Sequence, residues 1–313
     1  MANVTAATGN YKGKLALPYV KPAIMAADTI VNGWCDVRPN VVGDLALRKF
    51  SGGAIQARTC GFTGQSGVTL GEVLLTTTKL EIKLQLCQKD LAATWEADLM
   101  SDSRFAPADT KEAMLNYIAE IAAQDVEKNL WHGEYNSADG TTSGGDSTSG
   151  FNGFNAKIVA GTPAYENLVT GATTSSTIAT RLETLLGDAP SALYGDDNAY
   201  IYMSPKSKRL YYQYLATGSS GSGHTPALLE AADSYAGVKI VTPRGMADDT
   251  FIFSRWDNLA FGTDLSGNDF ATQAAVVDLN ESTLEDVVRG MIAFTAGTQI
   301  VDLDSLAVVR RSA

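Results

Sequence analysis

The feature that most constrains this chain is a long, well-capped helix set between stretches of strand pattern. Asp109-Thr110-Lys111-Glu112 is a capping box, with Asp at the N-cap and Glu three residues later. Met114, Ile118, Ile121, Val126 and Leu130 follow at spacings of three to five and fall near one face. This predicts a helix to about Trp131, spanning roughly 34 Å at 1.5 Å per residue. Around it the pattern is strands, then a mixed α/β stretch, then strands again.

Before the helix, residues 49–89 read as a long β-hairpin. Ile55, Ala57 and Thr59 share one face of its first strand. Val73 to Leu86 form the return strand, with Leu80, Ile82, Leu84 and Leu86 alternating against Glu81, Lys83 and Gln85. The tip, Gly61 to Gly67, has the glycines of a phosphate loop. It lacks the following helix and the Lys-Ser/Thr such a loop needs. Residues 1–48, punctuated by Pro18, Pro22 and Pro39, read as an extended arm with a short helix near Ala23–Asn32. A short helix is predicted from Lys89 to Met100.

After the long helix, Gly133 to Gly150 is a Ser/Thr/Gly/Asp stretch that cannot form a core. It holds Asp139 and Asp146 but not the ligand order of a calcium loop. Residues 155–270 read as an α/β unit. A helix is predicted from Ser176 to Leu186, with Ile178, Leu182 and Leu185 inward. A strand follows from Asn198 to Met203, and Ser204-Pro205 start another helix that presents Leu210, Tyr211, Tyr214 and Leu215. Short strands are predicted at Val238–Thr242, Thr250–Ser254 and Leu259–Gly262. The closing strands are Ala274–Leu279, Val287–Thr295, Gln299–Val301 and Leu306–Arg310, expected to pair near the long helix.

Composition narrows the function. The chain has 313 residues, 45% of them hydrophobic and only 19% charged, which is enough for a sizeable core. No apolar run reaches the ~18–20 residues of a membrane helix. Residues 1–10 lack the pattern of a secretion signal. Three cysteines, Cys35, Cys60 and Cys87, fit a reduced, intracellular chain. With two histidines, His132 and His224, and no CxxC or HxxxH pair, neither a structural zinc nor a His-centred triad is expected. Adjacent carboxylates at Asp248-Asp249 and Glu285-Asp286 point to opposite faces of a strand and do not share a proton. Gly9 to Lys14 is one residue short of a P-loop. No active site, metal or cofactor is expected.

The net charge of −11 is uneven. Residues 1–60 carry seven basic and three acidic side chains, a net of +4, which leaves −15 on the rest. The basic segment is either a solvated arm or one that meets a polyanion or another copy's acidic surface.

The order of elements resembles the major capsid proteins of tailed bacteriophages (Caudoviricetes), which have the Hong Kong 97-type fold. The text that carries the resemblance is Asp125-Val126-Glu127-Lys128-Asn129-Leu130-Trp131-His132-Gly133, then Gly150-Phe151-Asn152-Gly153-Phe154. Asn198–Pro205 with Leu210, and Gly237–Val241, are similar to the strand, helix and next strand of that family's axial lobe. The resemblance implies an α+β subunit of five parts. These are an N-terminal arm at 1–48, an extended hairpin loop at 49–89, a peripheral domain with its spine helix at 90–155, an axial domain at 156–270, and peripheral closing strands at 271–313. It implies a structural protein of a virion head shell, built from hexamers and pentamers in the bacterial cytoplasm and enclosing double-stranded DNA without sequence-specific binding. A separate scaffolding protein, a portal and a decoration protein are the implied partners. Contacts between copies are expected at Lys12, Lys14 and Lys21 of the arm, at Phe62, Leu80, Ile82 and Leu84 of the hairpin, and at Tyr211 and Tyr214. An encapsulin-like nanocompartment shell, or a phage tail or adhesion module, are the alternatives. The family's covalent Lys crosslink has no matching partner for Lys79, Lys83 or Lys89.

Overall fold

The structure, a computed structural model, describes residues 11–12, 28–52, 68–87, 122–135, 150–218, 233–264, 274–278 and 287–312. The hairpin tip, the Lys89–Met100 helix, the first half of the long helix, the loop with Asp139 and Asp146, and His224 lie outside these residues. In chain order the strands and helices begin with β1 (Tyr11–Lys12), α1 (Asp28–Val31), β2 (Asp36–Arg38), β3 (Asp44–Gly52), β4 (Val68–Thr76) and β5 (Thr78–Cys87). Then come α2 (122–132), α3 (Phe154–Gly161), β6 (Tyr165–Val169), α4 (Ile178–Gly187), β7 (Ala199–Met203) and α5 (Pro205–Gly218). The remainder is strand: β8 (Ser234–Tyr235), β9 (Val238–Val241), β10 (Phe251–Arg255), β11 (Leu259–Thr263), β12 (Ala274–Asp278), β13 (Val287–Ile300) and β14 (Leu306–Arg311).

One sheet is organised by β13. It runs β1-β12-β13-β11-β2, with β5 on the other side of β13. The predicted strands Val287–Thr295 and Gln299–Val301 are one element, because Gly297 pairs with Gly262 inside the ladder and does not break it. Along β13, Ile292, Phe294, Ala296 and Ile300 point to the core, while Met291 is 40% exposed.

The second sheet runs β6-β14-β10-β7-β9-β8 and is buried on both faces. Phe251, Phe253, Ile201, Met203, Ala307 and Val309 face a core closed by α4, through Ile178, Leu182 and Leu185. Ile252, Tyr202, Leu306 and Val308 face the other way, into a core shared with Val126, Leu130 and Trp131 of α2 and with the first sheet. Burial on both sides is why these strands read as nearly continuous apolar runs. Each large side chain enclosed there contributes roughly 1.5–3 kcal/mol.

Four expectations are corrected. The hairpin starts at Asp44, ahead of residue 49, and pairs β3 with β4 (Leu47 opposite Val73, Asp44 opposite Thr76). The predicted return strand Val73–Leu86 is two strands broken at Thr77, and the second, β5, pairs with β13 in the body. The break has a local cause: Thr77 N donates to Gly43 O at 3.1 Å and Gly43 N donates to Thr77 Oγ1 at 2.9 Å, closing the hairpin root. Residues 28–38 are not a free arm. Thr29 and Cys35 are buried, Trp34 and Val37 pack on the main core, and β2 runs parallel to β11. Finally, β14 packs on α2 through Leu306 and Val308 as expected, but its hydrogen-bonded partners are β10 and β6 of the second sheet, while β11 belongs to the first.

Candidate assembly surface

The joint at the end of α2 explains the glycine and aromatic text around it. Gly133 N donates to Asn129 O at 2.9 Å, and Gly153 N donates to Gly133 O at 2.8 Å. Asn129 Oδ1 accepts from Gly150 N at 3.0 Å, and its amide donates to Asp125 O at 2.8 Å. The two backbones cross in contact. A methyl on Gly133 would overlap Phe151 O, and one on Gly153 would overlap Asn129 O. Trp131, Phe151 and Phe154 then fill the core beside the crossing, with Trp131 edge-on to Phe154 at 5.3 Å. The motif is therefore a close crossing of the end of α2 with the segment that enters α3.

The same helix holds the segment 28–35. Glu127 is 5% exposed, and its carboxylate accepts from Thr29 Oγ1 at 2.7 Å and Thr29 N at 3.2 Å. Trp131 Nε1 donates to Thr29 Oγ1 at 2.7 Å. Burial pushes the Glu127 carboxyl above its usual range, against the opposing pull of the hydrogen bonds from Thr29 and Gly245. Burial likewise drives the Cys35 thiol far up, helped by the Glu127 and Asp36 charges, so this thiol is inert.

The hairpin stands on the outer face of the first sheet. Leu47 and Leu75 pack on Ala260. The pair Gly262 and Gly297 leaves the floor flat: a Cβ on Gly262 would lie 2.8 Å from Leu75 Cδ2, and one on Gly297 would overlap Thr76 O. Lys49 Nζ reaches Asp302 Oδ1 at 2.7 Å, and with Ser305 and the Asp304 amide holds that carboxyl below its usual range despite burial. The opposite face of the hairpin is open. Leu70 and Leu74 are 55% and 54% exposed, with Arg48 and Glu72 opposite each other between them. Two large side chains left open on an antiparallel pair this long make that face a candidate contact surface.

The predicted contact residues fall unevenly. Lys12 lies in β1, opposite Ala275, while Lys14, Lys21 and Phe62 lie outside the described residues. Leu80 and Ile82 are half-buried in β5 against the chain's own core, and Leu84 pairs with Gly290 on the same strand, so none of the three is on the hairpin. Tyr211 is 4% exposed and stacks edge-on against Tyr235, whereas Tyr214 is 37% exposed. Leu70 and Leu74, outside the predicted contact set, are further exposed candidates, and their parity, opposite to that of Val73 and Leu75, is readable in the sequence. Exposed Val159, Tyr165 and Leu168 around α3 and β6 lie outside that set as well.

The chemical candidates separate in space. Asp248 accepts from Ser204 Oγ at 2.9 Å and Lys206 Nζ at 2.8 Å, while Asp249 accepts from Thr173 N at 2.5 Å. Burial opposes the charge on Asp249, but Thr173, Arg181 and Arg311 together hold its carboxyl below the usual range. His132 is exposed at the end of α2. Among the described residues no cluster of three His, Cys, Asp or Glu side chains is placed to hold a metal, and no helix is long and apolar enough to cross a membrane.

No family model and no curated protein matches the sequence. Solved structures do match. A chain of the satellite phage P4 procapsid that includes the size determination (Sid) protein aligns with a TM-score of 0.62 at 12% identity, over 94% of this chain and 90% of that one. A chain from the capsid of the native GTA particle aligns at 0.57 and 13% identity, over 93% and 90%. A chain from the capsid of Myoviridae phage XM1 aligns at 0.56 and 11% identity, over 91% and 92%. At such identities the likeness is one of fold, and it spans nearly whole chains. The chain has the α+β fold of phage capsid subunits, the Hong Kong 97 type.

Proposed function

We propose that this chain is the major capsid protein of a tailed phage, a structural and non-enzymatic subunit that self-assembles into the icosahedral head shell around double-stranded DNA. The observation that carries this reading is the two-way coverage of the likeness: 94% of this chain and 90% of the P4 procapsid chain superpose, so the match is to a whole subunit. The open apolar face of the hairpin supports it, since shell subunits bury such faces on neighbours. On this reading the second sheet with α4 and α5 is the axial lobe, and the first sheet with α2 is the peripheral lobe. Strand β14 belongs to the axial sheet and β11 to the peripheral one. A separate scaffolding protein, a portal and a decoration protein are the partners the reading carries with it. Sedimentation tests it. Chain produced together with its scaffold sediments as closed particles far larger than the 33.1 kDa subunit. Sedimentation only as small species, across low and high salt and with scaffold present, contradicts it.

A further inference from the structure

We propose that residues 28–35 form an acid-tightened strap, whose seating on α2 and on the turn at 243–246 is coupled to uptake of a proton by Glu127. The geometry sets this up. Thr29 is fully buried over Glu127, and among the described residues the carboxylate meets neutral donors, Thr29 Oγ1, Thr29 N and the Gly245 amide. Gly245 lies directly on the α2 backbone, where a methyl would overlap Glu127 O. The charged and titratable groups nearby do not neutralise the carboxylate. On the strap side these are Asp28, Asp36 and the buried Cys35 thiol. On the turn, Arg244 is spent on Asp28 at 2.7 Å and is 81% exposed. On α2 itself, Asp125 is half-buried and Lys128 points to solvent. With no counter-ion among the described residues, burial outweighs these hydrogen bonds and favours the protonated form of the carboxyl.

Lifting the strap uncovers Glu127 and moves its carboxyl back toward its ordinary range. The seated state therefore binds the proton at higher pH than the lifted state. By linkage, seating strengthens as pH falls through the raised value and is strongest below 4.5; above the raised value the full penalty of the buried charge remains.

Hydrogen exchange on the full chain tests this. The amides of Thr29, Asn32, Gly33 and Trp34 donate to Glu127, Asp28 O, Ile30 O and Thr29 O, and report the seated strap. After correction for intrinsic rates, their protection is lost progressively as pH is raised from about 4 to about 8, while α4 amides are unchanged. Glu127→Gln, neutral throughout and able to accept from Thr29, gives protection that does not change with pH. Cys35→Ser keeps the wild-type pH dependence. Wild-type protection that is flat or rises with pH overturns the proposal, as does a pH dependence that survives in Glu127→Gln or vanishes in Cys35→Ser. Should Glu127→Gln not fold, infrared spectroscopy of the wild type decides. A buried protonated carboxyl band that is present in acid and lost as pH rises supports the strap, and its absence at every pH overturns it.

Discussion

At the scale of single residues, the structure places strain and charge at identifiable points. Ala236 and Gly237, between β8 and β9, both have positive φ, 50° and 84°, as in a type I′ turn. Alanine is poor there, so Ala236→Gly raises stability by about 0.5–1 kcal/mol, measured by urea unfolding. Gly153→Ala does the reverse. It forces apart the crossing with Asn129 and costs upwards of about 3 kcal/mol, or prevents folding altogether. Asp249 has the opposite sign to Glu127. Its folded value is depressed, so its contribution is present above the ordinary 3.8 and is lost as pH falls through the folded value. Asn tolerates the φ of 63° at this position. Asp249→Asn therefore lowers stability by about 1–2 kcal/mol at neutral pH, and the gap to wild type closes in strong acid. A gap that stays constant down to about pH 2 contradicts this assignment.

At the scale of elements, parity separates what was legible from what was not. The second half of the long helix, α4 with its Ile178, Leu182 and Leu185 face, and the run from β7 into α5 were readable because local signals agreed with burial. Ser204 accepts from Ser207 N at 3.1 Å as an N-cap should. The hairpin was half readable. Val73 and Leu75 are odd-numbered, whereas Leu80, Ile82, Leu84 and Leu86 are even, and the flip falls on the three threonines at 76–78. That flip marks a change of sheet, but a continuous apolar run hides it. Strand β2 and helix α3 left almost no local trace. β2 has three residues and exists because β11 lies beside it, and α3 begins at Gly153 with no side-chain cap. Two consequences follow for mutagenesis. Asp placed at Ile82 destabilises the subunit itself, whereas Leu74→Asp leaves its thermal unfolding within about 0.5 kcal/mol of wild type and abolishes particle formation. Deletion of Met1 to Arg38 removes Thr29, Trp34, Cys35 and β2 from the core, so the truncated chain fails to give a cooperative unfolding transition in circular dichroism.

At the scale of the whole molecule, composition and architecture meet. Both faces of the second sheet and one face of the first are enclosed within the subunit. Among the described residues, exposed large apolar side chains lie on the hairpin, around α3 and β6, and at Met291 on the outer face of the first sheet, and also at Val31, Val42, Tyr135, Tyr194 and Tyr214. The low charged fraction of 19% thus goes with a large internal core and with apolar side chains left open on the surface. The acidic excess of the body is compatible with a wall that encloses DNA without gripping it. The most direct measurement is a cryo-electron microscopy reconstruction of the particles formed by this chain with its scaffold. It is expected to show closed icosahedral shells in which the Leu70 and Leu74 face of each hairpin is covered by an adjacent copy. Particles in which that face is open to solvent, or preparations with no closed shells at all, contradict it.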